Sequence, residues 1–517
     1  MINSIIIPSA ITEGIIILVL EGIVIMGENL RGKKGVGTFE VCLWWLVRVL
    51  LAVGVFTAAT TPKKLMVLLA LIFSFTVGLL KKIFSKDEFF SALSYHLQTC
   101  ICLVGLLGSG LGFGFGLFQK TPEYDIPLSF FGGIVGTAIG YYISIAFRKP
   151  YKRKGFNFTA FMSFCISNAF IAVREIAQFF IDFYTGRNLI GCEFVGDDHW
   201  LIKLVGPMLS MNEHRYLYDY SEDITLGIIG ALLATAVLYV NLRLKNKEAF
   251  IKHRKGMKEV KELSGNFIAR CKDKIIYEAD KVRQQTNLAD MLLWWCVRVL
   301  MVYAFITIEN KAEGVLLLVV SLGTVAITAL HLVTPKDSMF CKINYRVQSL
   351  LCIIVFLGSY CGNYVGVYAY TGRFDTLLHF ASGFISATAG YYIGLTLVKP
   401  LNKKENLALC LFALAFSMTV IPIHEMVEFF GDYIWGTTNQ GFMWDPLPED
   451  VMLYKIFGHG VGNTELLKMY DTMYDMVLAT TSAVMSFVYM FFSLEKKRKS
   501  SGKTDYKTDT EKQLVSC

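Results

Sequence analysis

The stretch "IPIHEMVEFFGDYIWG", residues 421–436, sets His424, Glu425, Glu428 and Asp432 within about three turns of an otherwise apolar helix. His424 and Glu428 are i and i+4, as are Glu428 and Asp432, while Glu425 and Glu428 are i and i+3. An imidazole and a carboxylate one turn apart can share a metal ion. A further carboxylate beside them can take a proton from bound water. Two other segments offer matching pairs. "FDTLLHF" carries Asp375 and His379 at i, i+4, and "YDTMYDM" carries Asp471 and Asp475 at i, i+4. The expected metal ligands are therefore His379, His424, Asp375, Asp471 and Asp475, with Glu425 and Glu428 as acid–base groups and a divalent ion as the cofactor.

These residues need elements to hold them, and the composition says which. The chain has 517 residues, 54% of them hydrophobic and only 18% charged. Soluble domains carry about a quarter charged residues. Apolar runs long enough to cross a hydrocarbon core of about 30 Å recur along the whole length. Soluble helices would be amphipathic, and these runs are apolar all round. The predicted class is an all-α polytopic membrane protein whose first partner is the lipid bilayer. The run near 4–26 lacks a basic start and contains Glu13 and Glu21, so it reads as a retained span rather than a signal peptide. Of 12 cysteines, Cys192 alone falls in an expected outer loop, so no disulfide framework is implied.

The net charge of +8 is no nucleic-acid footprint, because it is concentrated in a few segments. Residues 242–289 hold 13 Lys/Arg against 6 Asp/Glu, and the tail from Glu495 holds 7 against 4. Positive charge beside membrane spans concentrates on the cytoplasmic side. This bias predicts Met1 outside and both Cys517 and the 242–289 segment in the cytoplasm, with Lys63 and Lys64 as a minor conflict.

The unit is written twice. "LWWLVRVL" at 43–50 recurs as "LWWCVRVL" at 293–300, and "GYYISIAFRKP" at 140–150 as "GYYIGLTLVKP" at 390–400. "REIAQFFID" at 174–182 faces "HEMVEFFGD" at 424–432, always at an offset of 250; "YDYSED" at 218–223 faces "YDTMYD" at 470–475 at 252. Six spans are expected per copy: near 40–58, 65–80, 93–118, 126–147, 157–184 and 222–241, then near 291–308, 314–334, 347–370, 375–398, 406–434 and 472–493. With the N-terminal run they make about 13 transmembrane helices, as two parallel six-helix repeats plus one helix. The expected divisions are an N-terminal helix and basic loop (1–39), repeat 1 (40–241), a basic linker (242–289), repeat 2 (290–493) and a basic tail (494–517).

The duplication separates chemistry from architecture. Copy 1 keeps Asp125, Glu175, Asp182, Asp219 and Asp223, but has Ser129 for His379, Arg174 for His424 and Gln178 for Glu428. Each change removes a ligand or a base, and Arg174 brings its own permanent charge. The plainer readings differ by residue. Asp375 and Asp471 at helix N-termini would complement the dipole, and a lone His379 would be a satisfied core histidine. It is the convergence of three helices that favours a site. Arg48 and Arg298, held in both copies, read as structural partners of carboxylates or carbonyls. The glycines of "GSGLGFGFG" at 108–116 read as helix-packing positions rather than a phosphate loop, because no Lys-Ser/Thr follows.

"FDTLLHFASGF", "HEMVEFF" and "YDTMYDMVLA" together resemble the YjdF-like family of bacterial inner-membrane proteins and, more distantly, VanZ-like membrane proteins. Copy 2 matches all three blocks over about 370–485, and copy 1 matches with the losses above. The resemblance implies the fold and a bacterial cytoplasmic membrane, and it implies no reaction. Three functions fit the residues: a metal-dependent enzyme acting on a lipid-linked or envelope substrate at the outer face; a proton- or cation-coupled transporter or ion-binding protein; and a structural protein with a stabilising polar network. Polar groups in one half and near one surface favour the first.

Overall fold

The computed structural model describes residues 36–121, 124–147, 153–185, 211–245, 267–309, 311–336, 338, 340–371, 373–400, 402–435 and 470–500. The expected N-terminal span lies outside them. In copy 1 the main helices are α1 (Thr38–Thr57), α2 (Thr61–Phe73), α3 (Thr76–Ile83), α4 (His96–Val104, continued by a π-helical turn at Gly105–Gly114), α5 (Asp125–Phe147), α6 (Arg153–Thr185) and α7 (Met211–Lys245). After α8 (Phe267–Gln285) copy 2 repeats them as α9 (Leu288–Thr307), α10 (Lys311–Ser321), α11 (Ala326–Val333), α12 (Arg346–Val355, with a π-helical turn at Phe356–Tyr364), α13 (Arg373–Leu395), α14 (Lys403–Trp435) and α15 (Tyr470–Ser500). No strand occurs among the described residues.

Equivalent residues do equivalent work. Trp44 Nε1 donates to Thr99 Oγ1 at 2.9 Å, and Trp294 Nε1 donates to Ser349 Oγ at 3.0 Å. After each π-helical turn the chain reverses at a left-handed glycine, Gly116 (φ 69°) and Gly366 (φ 78°), where a side chain would be strained.

Nine described helices are long and apolar enough to cross a membrane, or ten if α2 and α3 count as one span. The expected 13 are not reached among the described residues, for two physical reasons. The second span of each copy is broken. α2 and α3 meet at an angle of 47°, and α10 and α11 are separated by a 3₁₀ turn at Leu322–Val325. α13, which carries Asp375 and His379, is too polar to count by hydropathy, although its copy 1 match α5 does count.

The retained arginines explain how the breaks survive in an apolar setting. Arg48 donates to the Ser74 carbonyl, the C-cap of α2, at 2.6 Å, and Arg298 donates to the Thr324 carbonyl at 2.7 Å. From the other side, Gln98 Oε1 accepts from Val77 N at 3.0 Å and Gln348 Oε1 accepts from Thr328 N at 3.0 Å. Backbone groups freed inside a bilayer must find partners, and these side chains supply them. The arginines thus serve carbonyls. Arg48→Leu is expected to lower the melting temperature of the purified protein by several degrees, because it removes a charged hydrogen bond to the Ser74 carbonyl, worth about 1.5–3 kcal/mol, while the Gln98 amide still donates to that carbonyl.

The two copies run in the same direction. Phe158 packs on Phe412, Phe161 on Phe416, and Thr419 donates to the Cys165 carbonyl at 3.1 Å. The paired numbers rise together, so α6 and α14 are parallel neighbours where the two copies meet. Pro422 sits inside α14 without ending it. The linker segment contributes α8, latched onto copy 2. Its Glu278 accepts from Tyr345 Oη at 3.0 Å and Cys341 Sγ at 3.2 Å and meets His331 Nδ1 at 3.0 Å. Burial pushes the Glu278 carboxyl up, but the Cys341, His331 and Tyr345 contacts outweigh it and hold it below the usual carboxylate range.

Candidate functional site

Three helices of copy 2 converge because small residues line their contacts. α13 meets α15 at Gly383, where an added Cβ would overlap the Ala479 carbonyl and the Ser482 hydroxyl. Ser417 on α14 donates to the Gly383 carbonyl at 3.2 Å and shares a hydrogen bond with Ser386 at 2.6 Å. This close packing turns the polar ends of α13, α14 and α15 towards one another.

His379 stands at the centre. Its Nε2 lies 3.5 Å from Asp375 Oδ1 and 3.5 Å from Asp475 Oδ2. Its Nδ1 faces Glu425 Oε1 at 3.9 Å. On α14, His424 Nδ1 lies 3.5 Å from Glu428 Oε1. The two imidazoles meet edge to face, with ring centroids 5.6 Å apart. Two sets of metal-ligand geometry result: Asp375, His379 and Asp475, and His424, Glu425 and Glu428, each with its ligand atoms within 4.8 Å of one another. Six of the seven residues expected from the sequence are therefore brought together. The side chains of the seventh, Asp471, and of Asp432 lie outside the described residues.

Copy 1 builds the same place differently. Arg174 Nε donates to Glu175 Oε1 at 2.8 Å, and the guanidinium also pairs with Asp223. It reaches Ser129 Oγ at 3.5 Å, and Ser129 donates to Asp223. Asp125 and Asp219 lie close enough to act on the same charges. A resident cation thus sits where copy 2 has imidazoles.

The family model for predicted membrane proteins designated DUF2238 matches twice, over residues 41–244 and 290–496. The chain belongs to this family. Each match spans one copy of the DUF2238 unit, as a tandem duplication requires, and the chain is a multi-pass membrane protein. No curated protein and no solved structure matches it.

One feature of this DUF2238 chain escaped the sequence reading. Tyr220, fully buried, donates from its hydroxyl to Met476 Sδ at 2.6 Å, and Thr225 Oγ1 lies 3.6 Å from Met426 Sδ. Tyr220 follows Asp219, Met476 follows Asp475 and Met426 follows Glu425. The two polar clusters are therefore set back to back where α7 meets α14 and α15. The only available signal was the tyrosine itself, which has Thr472 as its match and so no repeat to mark it.

Proposed function

We propose that copy 2 binds divalent metal and that the protein is a metal-dependent enzyme acting on a lipid-linked or other envelope substrate at the outer face of a bacterial cytoplasmic membrane. The observation that carries the proposal is the contrast between copies. Where copy 1 neutralises its carboxylates with the Arg174 guanidinium, copy 2 offers His379 and His424 among Asp375, Glu425, Glu428 and Asp475 at ligand spacing. Imidazole nitrogen with carboxylate oxygen is the donor set of zinc, manganese and iron(II) centres. A divalent ion there supplies Lewis acidity and a bound water acidic enough to attack near neutral pH. Glu428, partly exposed beside His424, and Glu425, buried against His379, would help hold the ion, and the exposed Glu428 would also take that water's proton with its second oxygen.

Metal content of the purified protein tests the proposal against a His379→Ala/His424→Ala double variant. Metal co-purifying with the wild type and absent from the variant is expected. Equal content in both would leave the structural-network reading. Ion-driven uptake into vesicles, without hydrolysis, would establish the transporter reading instead.

The proposal sets Met1 outside and the 242–289 linker and Cys517 in the cytoplasm, following the Lys/Arg distribution. A cysteine placed at position 265 should resist impermeant thiol reagents in intact cells and react after lysis. Labelling from outside would overturn this orientation.

A further inference from the structure

We infer that the copy 2 centre holds two divalent ions, an inner one on Asp375, His379 and Asp475 and an outer one on His424, Glu425 and Glu428. This rests on the metal reading above and goes beyond it in number, partition and order of binding.

The geometry of His379 separates the ions. Bonds of about 2.1 Å to a tetrahedral ion put neighbouring ligand atoms about 3.4 Å apart. The separations of 3.5 Å from His379 Nε2 to both Asp375 and Asp475 fit one such ion, and 3.5 Å from His424 Nδ1 to Glu428 fits another. The two nitrogens of one imidazole point away from each other. Glu425 faces Nδ1, so it lies across the His379 ring from the first set. One ion cannot sit on both sides of that ring. Each set contains one imidazole and two carboxylates, three protein ligands in all, which leaves a position open for water or substrate.

Copy 1 supplies an independent stand-in. The Arg174 fork contacts Glu175, which matches the outer set, and Asp223 with Ser129, which match the inner set. One extended, delocalised cation spans both subsites there. Compact ions cannot span them, so two are needed for the same coverage. Two divalent ions also carry four positive charges, matching the four carboxylates of the two sets.

Exposure orders the pair. His379 is 8% accessible and His424 48%, while each set pairs one buried carboxylate (Asp475 at 5%, Glu425 at 1%) with one partly exposed carboxylate (Asp375 at 29%, Glu428 at 23%), so the imidazoles set the order. The inner ion should be tight and slow to exchange, and the outer one weaker and chelatable.

Zinc titrated into chelator-treated full-length protein in detergent, followed by calorimetry and elemental analysis, tests the inference. The expected stoichiometry is two per chain in two affinity classes. Glu428→Gln should abolish the weak class alone. Asp475→Asn should abolish the tight class. A His424→Ala/Glu428→Gln variant, which removes two outer ligands and adds no cation that could reach Asp475, should elute as a single species and retain one ion; it keeps the result interpretable if another variant fails to fold. One zinc per wild-type chain, lost equally in Glu428→Gln and Asp475→Asn, would overturn the pair and leave the metal centre standing. No zinc in the wild type would overturn both.

Discussion

The triple variant His379→Ser/His424→Arg/Glu428→Gln is expected to bind no divalent metal and still to insert and fold. Copy 1 is the template for this outcome. There Ser129, Arg174 and Gln178 coexist with Glu175 and Asp223, and the guanidinium closes on both carboxylates. Their matches Glu425 and Asp475 remain in the variant to receive the new arginine. A bidentate, permanently charged fork is well suited to paired carboxylates and cannot be displaced by a metal ion. Zinc affinity should fall by at least about 100-fold, since even outer-shell changes at metal sites cost about 10–100-fold. The metal-free melting temperature should stay within a few degrees of metal-free wild type. Elemental analysis and thermal unfolding in one detergent would decide it. Wild-type metal content in the triple variant would refute the site, and a large loss of stability would refute the equivalence of the copies.

How far this arrangement could be read from sequence depends on which physical signal each part leaves. The duplication, the all-helical class and the convergence of six polar residues of copy 2 were legible. Apolar runs and one-turn polar spacings are local, and an offset of 250, rising to 252 for the last block, aligns them without any structure. The broken second spans were not legible as breaks. A hydropathy window runs across Ser74–Phe75 and across Leu322–Val325 without a dip, because both breaks are apolar. Arg48 and Arg298 were the trace they left, since an arginine 26 residues before a freed carbonyl, at Ser74 and at Thr324, has a backbone reason to be there. α13 failed in the other direction. Asp375, His379 and its serines and threonines lower its hydropathy below that of α5, so α13 looks less like a span than its copy 1 match. The Tyr220–Met476 contact left no trace but the tyrosine itself, because long-range pairs with no repeat partner carry no periodicity.

Arg174→Ala is expected to be the most destabilising single substitution at either polar cluster. The side chain is about one-quarter exposed, but its partners Glu175 and Asp223 are almost fully buried. Removing one member of a buried ion pair strands the other charge, at about 3–5 kcal/mol. Here one guanidinium serves two carboxylates and Ser129, and Asp125 and Asp219 add to the same negative cluster. The expected result is a melting temperature lower by roughly 5–10 °C and reduced yield, with zinc binding at copy 2 retained in the protein that folds. Adding Asp223→Asn should recover part of the loss, because it removes one of the stranded charges; Arg174→Lys should recover less than wild type, because an ammonium cannot fork between Glu175 and Asp223. His424→Ala at the matched position should instead leave metal-free stability nearly unchanged while zinc uptake falls. Identical behaviour of Arg174→Ala and His424→Ala, in stability and in metal content, would show that the copies do not divide into a charge-neutralised half and a metal-binding half.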